Sequence, residues 1–146
     1  MLRHGVVADL AALLAFESRC FGENEGAFNR RQLRGLLTNP RAVWLIEGRF
    51  EGAACLLIAS NGVSRWGRLY SLSVDPQFRQ RGVGRRLLRA SFAWFRQQGV
   101  PICRAEVKSD NLGARRLYAA MGFKEGRPLP HYYGLGHHAI KLSRPL

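Results

Sequence analysis

Residues 69–84 read LYSLSVDPQFRQRGVG, from Leu69 to Gly84, and the reading of this stretch decides the fold. Its first half alternates, with Leu69, Ser71 and Ser73 on one side and Tyr70, Leu72 and Val74 on the other, as a half-buried strand does. Asp75-Pro76 stops the strand, because proline lacks an N–H donor and fixes φ. After a short loop the chain reads Arg81-Gly82-Val83-Gly84 and enters a long helical pattern. A strand, a basic glycine turn and a helix N-terminus together make a place for a phosphate group. Backbone N–H groups there lack helical partners and the dipole favours negative charge. Glycines and arginines are also common in surface turns that bind nothing, so the rest of the chain has to decide.

At 146 residues, 47% of them hydrophobic, the sequence predicts one domain over residues 1–146 with a substantial core. No apolar run reaches transmembrane length, and the N-terminus does not read as a signal peptide. Cys20, Cys55 and Cys103 lack metal-type spacing and sit in apolar patterns, which predicts free buried thiols in a reducing cytoplasm. The net charge of +13 predicts attraction to polyanions. Arg79, Arg81, Arg85, Arg86, Arg89 and Arg96 fall between Pro76 and Gln98 with no acid among them. Such a run is either a solvated helix face or the surroundings of an anion, and its place just after the glycine turn favours the anion.

Outward from that stretch, Leu2 to Val7 reads as an edge strand, and Asp9 as the N-cap of a helix with Leu10, Leu13, Leu14 and Phe16 on its stripe. A loop carrying Glu23 and Glu25 follows, then a short helix capped by Asn29 and ended by Asn39-Pro40. Ala42 to Glu47 and Ala53 to Ser60 form a hairpin leading to the Leu69–Val74 strand. The helix from Gly82 to Gln98 carries Val83, Leu87, Ala90 and Trp94 on one stripe, widened by Leu88, Phe92 and Phe95. Ile102 to Val107 is a strand. Asn111 caps a helix with Ala114, Leu117, Tyr118 and Met121, and two strands finish the chain. The order predicts a mixed α/β (α+β) domain, mostly antiparallel, with a parallel pairing across the long helix.

These residues resemble the GNAT superfamily of acetyl-coenzyme A-dependent N-acetyltransferases. The family's pyrophosphate loop, Arg/Gln-x-x-Gly-x-Gly/Ala, is matched by Arg79-Gln80-Arg81-Gly82-Val83-Gly84, preceded by Val74-Asp75-Pro76. Ala105-Glu106-Val107-Lys108-Ser109-Asp110-Asn111, then Ala114, Leu117-Tyr118 and Gly122-Phe123, is similar to a block of the RimI-like branch. His131-Tyr132-Tyr133 with His138-Ala139 resembles that branch's C-terminal region. The resemblance implies a sheet of about seven strands flanked by about four helices. It also implies acetyl transfer from acetyl-CoA, without a metal, to a primary amine, foremost a protein or peptide N-terminus.

Residue by residue, the resemblance implies that Leu72, Ser73 and Val74 hold the pantetheine arm through their backbone, and that Arg79 to Arg85 bind the pyrophosphate. For Asn111 it implies a bond to the pantetheine arm, against the plain reading of an N-cap. Tyr118 becomes the proton donor to the leaving sulfur, where its apolar stripe alone reads as core. Glu106 becomes the acceptor of the amine proton, where a salt-bridged surface glutamate is the ordinary reading. Tyr132 and Tyr133 are either packing residues or a wall around the acceptor, and Glu23 and Glu25 are expected to attract its ammonium. His131, His137 and His138 lack companion ligands at metal spacing, so no metal is expected. A small-molecule amine or a lysine side chain remains as a rival acceptor. A nucleic-acid or ribosome-binding module is the rival class, although no nucleic-acid-reading motif appears and any such contact is expected to be non-specific. The expected protein is a monomer or homodimer without membrane attachment.

Overall fold

The computed structural model describes residues 1–21 and 28–146. A seven-stranded sheet runs through it, with strands β1 (Leu2–His4), β2 (Ala42–Glu47), β3 (Gly52–Ser60), β4 (Arg65–Val74), β5 (Ile102–Lys108), β6 (Lys124–Leu129) and β7 (Ala139–Pro145). Their spatial order is β1-β2-β3-β4-β5-β7-β6. Every neighbouring pair is antiparallel except β4 and β5, which are parallel because the long helix crosses between them. Four helices flank the sheet: α1 (Leu10–Phe21), α2 (Arg30–Thr38), α3 (Val83–Gln97) and α4 (Leu112–Ala120). No helix among the described residues is long and apolar enough to cross a membrane.

Two apolar clusters pin the helices to opposite faces. Leu13 and Phe16 of α1 and Leu33 of α2 meet Trp44, Ile46, Ala53 and Cys55 on one face. Leu87, Leu88, Phe92 and Phe95 of α3, with Tyr118 of α4, meet Leu45, Ala54, Leu69, Cys103 and Ala105 on the other. Close approach of α3 depends on Gly67, where a Cβ would stand 2.6 Å from the Phe95 ring. The buried stripe of α3 runs through Leu88, Ser91, Phe92 and Phe95, while the expected stripe members Ala90 and Trp94 are only half-buried. Ser91 fits that stripe by donating its hydroxyl to the Leu87 carbonyl at 2.7 Å.

Three expectations change in detail. β1 ends at His4, well short of Val7, although the Gly5 N–H still reaches the Trp44 carbonyl at 2.8 Å. Asp9 closes a 3₁₀ turn, Val7–Asp9, that precedes α1. Its carboxylate accepts from the Val6 N–H at 2.8 Å and from the Arg3 guanidinium at 2.9 Å, and that arginine holds the carboxyl below its ordinary range. β4 begins at Arg65, four residues before the expected start, because Trp66 and Arg68 continue its ladder with β3. At α2 the expected cap is present, with Asn29 Oδ1 accepting from the Gln32 N–H at 2.8 Å and Gln32 Oε1 from the Asn29 N–H at 2.9 Å. Cys55 and Cys103 are buried free thiols and Cys20 is a half-buried one.

Candidate active site

The site begins with an irregularity in the central strand. In the β3–β4 ladder Leu56 faces Leu69 and Cys55 faces Ser71, so Tyr70 is an extra residue without a partner. Such a bulge bends its strand and raises the local twist. On the other side of β4, pairing with β5 is confined to Gly67 with Cys103 and Arg68 with Arg104. β5 stays paired with β7 from Ile102 to Lys108, so beyond the bulge β4 diverges from it and the sheet opens.

The bulge also reverses the phase of the strand. Strict alternation places Leu69 with Ser71 and Ser73, yet Leu69, Leu72 and Val74 all pack on the α3 side. Ser71 and Ser73 lie over Cys55 and Ala53, on the α1 side. Inserting one residue flips every side chain beyond it. The Asp75 N–H donates to the Glu51 carbonyl at 2.8 Å. By antiparallel alternation Ser73 therefore bonds toward β3, while Leu72 and Val74 turn their backbone groups toward the opening. Ser73 itself points its hydroxyl toward α1, buried and without a partner among the described residues, so its place differs from the one expected.

A cavity of about 330 Å³ fills the opening. On the α3–α4 side it meets Leu72, Asn111, Ala114 and Tyr118. Tyr118 is 7% exposed and packs edge-on against Phe123, with ring centroids 5.3 Å apart. Burial, with Tyr133 and Cys103 nearby, pushes its phenol well above the ordinary range, so it stays protonated at neutral pH. Asn111 Oδ1 accepts from the Ala114 N–H at 3.1 Å, which makes it the N-cap of α4 at the cavity's edge.

The opposite side is polar and aromatic. Cys103, Ala105 and Val107 of β5 enter the α3 cluster, so Glu106 projects to the α1 face by strand alternation. Arg68 Nη2 lies 3.5 Å from Glu106 Oε2 and donates to Tyr132 Oη at 3.2 Å. Its guanidinium stands 4.6 Å from the centroid of Tyr70, whose ring lies 5.3 Å from that of Phe28. Tyr132 and Tyr133 meet edge-on at 4.9 Å. Burial, with Glu106 next in effect, pushes the Tyr133 phenol up to about 12. From α1, Glu17 reaches the same cavity, and burial pushes its carboxyl up to about 7.

The glycine turn lies where β4 hands over to α3. Gln80 and Gly82 both adopt left-handed backbone, with φ of 63° and 79°, which folds the loop back on the first turn of the helix. Gly82 occupies the N-cap position without a side-chain acceptor, leaving the first N–H groups of α3 open. A Cβ on Gly84 would meet Leu117 Cδ2 at 3.0 Å, so the loop packs directly on α4. Arg86 is committed to Glu47 at 3.2 Å, and Arg79 Nε lies 3.5 Å from the Val74 carbonyl. Arg81 stacks 5.4 Å from the Phe78 ring. Arg85 and Arg89 are exposed beside the loop. Open N–H donors, left-handed backbone and exposed arginines fit a pyrophosphate, and the open edge of Leu72 and Val74 fits an amide-bearing arm.

Of the residues expected from sequence, Leu72, Glu106, Asn111, Tyr118, Tyr132 and Tyr133 meet at one cavity, while residues 79–85 form the loop between β4 and α3 and do not line it. Glu23 and Glu25 lie outside the described residues. Glu17, Phe28, Arg68, Tyr70 and Lys108 also line the cavity and were not singled out from sequence. For Glu17 a signal existed, since a carboxylate at i+4 from Leu13 sits on the apolar stripe of α1. The histidines have a structural task. His131 Nδ1 accepts from the Gly136 N–H at 2.8 Å and His138 Nδ1 from the His131 N–H at 3.1 Å. Among the described residues no group of three His, Cys, Asp or Glu side chains is placed to hold a metal ion.

The bulged central strand, the splayed parallel pair and the glycine loop at a helix start belong to one α/β domain. The model of the acetyltransferase (GNAT) family matches residues 10–123, and the protein belongs to that family. It is 36% identical over 81 residues to the [ribosomal protein bS18]-alanine N-acetyltransferase of Salmonella typhimurium, covering 53% of this chain and 55% of that one. It is 32% identical over 129 residues to the mycothiol acetyltransferase of Beutenbergia cavernae, covering 82% of this chain and 42% of that one. The chain thus spans about half the length of these curated relatives. Its fold matches the crystal structure of the ribosomal-protein-S18-alanine N-acetyltransferase from Escherichia coli with a TM-score of 0.82 at 22% identity, over 99% of this chain and 94% of that one.

Proposed function

We infer that the protein transfers an acetyl group from acetyl-CoA to the N-terminal amine of a protein or peptide. The observation that carries this reading is the opening between β4 and β5, which has Tyr118 on one side and Glu106 on the other. Two reactants entering from opposite faces of a sheet meet only where the sheet is open. Acetyl-CoA supplies the activated acyl group as a thioester. Leu72 and Val74 offer backbone groups to its arm and to the thioester oxygen, and the 79–85 loop offers N–H donors and arginines to its pyrophosphate. Tyr118, held protonated, is placed to give its proton to the leaving sulfur. Glu106 accepts a proton from the acceptor nitrogen, and Arg68, which also donates to Tyr132 Oη, orients it.

The name of the Salmonella relative and the fold match to the Escherichia coli enzyme support an N-terminal acceptor. The Beutenbergia relative aligns with more of this chain and favours a second reading, a small-molecule amine. Acetyl-CoA turnover against N-terminal peptides, lysine peptides and small amines separates the two. Preference for free α-amines supports the first reading, and preference for small amines the second. Thermal stabilisation by acetyl-CoA excludes the rival of a basic nucleic-acid-binding module. Salt-sensitive nucleic-acid binding without acetyl-CoA affinity would establish that rival instead.

A further inference from the structure

Glu17 is the exceptional carboxylate of this molecule. It is 1% exposed, and neither carboxylate oxygen has a hydrogen-bond partner among the described residues. The other buried acids among the described residues each have a partner, Glu47 pairing with Arg86 through one oxygen only, and Asp75 with Arg19 and the Gln77 N–H. Arg19 lies only two positions further along α1, yet it bonds to Asp75 at 3.1 Å. Leaving a buried carboxylate unpaired costs several kcal/mol, so a built site that keeps one in this state points to a partner supplied from outside.

The surroundings say which partner. Glu17 lies near Cys20 on its own helix and Cys55 on β3, and it shares the cavity with Arg68 and Tyr70 on β4 and with Glu106 and Lys108 on β5. Tyr118, Tyr132 and Tyr133 complete the titratable groups around the cavity. Arg68 is engaged with Glu106 and Tyr132, and Asp75 with Arg19. Lys108 makes no ion pair with Glu17 among the described residues, so the cationic partner that Glu17 lacks there is a group entering the cavity, and the acceptor of an acetyl transfer arrives as an ammonium.

We propose that Glu17 binds the acceptor's ammonium and takes its first proton, a role distinct from that of Glu106. This rests on the acetyl-transfer reading above. The nitrogen must lose two protons in all. The first passes to the Glu17 carboxylate, leaving a neutral amine whose lone pair forms the bond to the acetyl carbonyl carbon. The carbon–sulfur bond breaks with its electron pair on sulfur, which Tyr118 protonates. The second nitrogen proton goes to Glu106 and restores the Tyr118 phenol, and Glu17 releases its own to water, so one proton per turnover reaches solvent. A carboxyl pushed up to about 7 by burial is matched to this exchange near neutral pH.

The test compares Glu17→Gln, Glu106→Gln and wild type in kcat, acceptor KM and their pH profiles, with acetyl-CoA binding followed by thermal shift. Glu17→Gln is expected to raise the acceptor KM at least tenfold at pH 7 and to move the fall of kcat/KM from pH about 7 up to the acceptor α-amine's own value of about 8. Glu106→Gln is expected to keep that fall and lower kcat. Both should retain the wild-type thermal response to acetyl-CoA. A Glu17→Gln enzyme with wild-type KM and an unchanged acid limb overturns the proposal while the acetyl-transfer reading stands. A wild-type protein that neither binds acetyl-CoA nor acetylates any amine overturns both.

Discussion

Arg68 holds Glu106 loosely, with Nη2 3.5 Å from Oε2, beyond the 2.7–2.9 Å of a tight charge-assisted bond. The pair orients the carboxylate without tying up its lone pairs, as a proton acceptor requires. Glu106→Gln should therefore lower kcat across the pH range and keep the wild-type fall of kcat/KM on the acid side. Steady-state rates between pH 6 and 9.5 check this, and a wild-type kcat would remove the proton-acceptor role.

Tyr118→Phe keeps the ring against Phe123 and removes only the hydroxyl. It should lower kcat by about tenfold to a hundredfold while leaving acetyl-CoA affinity nearly intact. Single-turnover kinetics and a binding isotherm on the same preparation separate the two effects. Full activity would remove the acid role.

The glycine loop is tested at Gly82. Its φ of 79° suits glycine, and any L side chain there costs roughly 1–2 kcal/mol. A Cβ would also approach Arg86 Nη1 at 3.4 Å. Gly82→Ala should weaken acetyl-CoA binding at least tenfold and leave the acceptor dependence of the residual rate unchanged. Calorimetric titration with acetyl-CoA measures the first effect.

Much of this was legible in the sequence because periodicity and glycine report local geometry. Asn29, Gly82 and Asn111 take the helix-terminal positions their residue types demand, and β3 is the apolar run around Ala53 to Ser60. The bulge was not legible. LYSLSV alternates equally well with or without an extra residue, and only the pairing of Leu56 with Leu69 and Cys55 with Ser71 sets the phase. The opening between β4 and β5 is a consequence of that pairing, so it was hidden too. Arg68 and Phe28 joined the site through tertiary packing, which no local pattern encodes.

Removing Tyr70 tests the bulge directly. Its deletion leaves Leu69 and Ser71 opposite their present partners and preserves which face each side chain takes. The variant should fold with near wild-type circular dichroism and fail to respond to acetyl-CoA in a thermal shift. A wild-type thermal response would show that the bulge does not make the opening.

Glu17 makes a prediction about stability. Its carboxyl rises from 4.5 to about 7, so the native state binds the proton more tightly than the unfolded chain. Above pH about 7 the group is ionised in both states and folding carries a penalty of about 3 kcal/mol; below about 4.5 it is protonated in both and the penalty vanishes. Glu17→Gln should therefore raise Tm by about 10 °C at pH 8, and the gap should close as pH falls from 7 to 4.5. Melting curves across that range would contradict the account if the gap stayed constant.

The account's central claim is acetyl transfer to a free α-amine. The most direct measurement is tandem mass spectrometry of short peptides, with free or blocked N-termini and internal lysines, after incubation with the protein and acetyl-CoA. The account predicts an acetyl group on the α-amine of the free peptides and none on the blocked ones. Transfer to lysine alone, or no acetylated peptide with acetyl-CoA left intact, would contradict it.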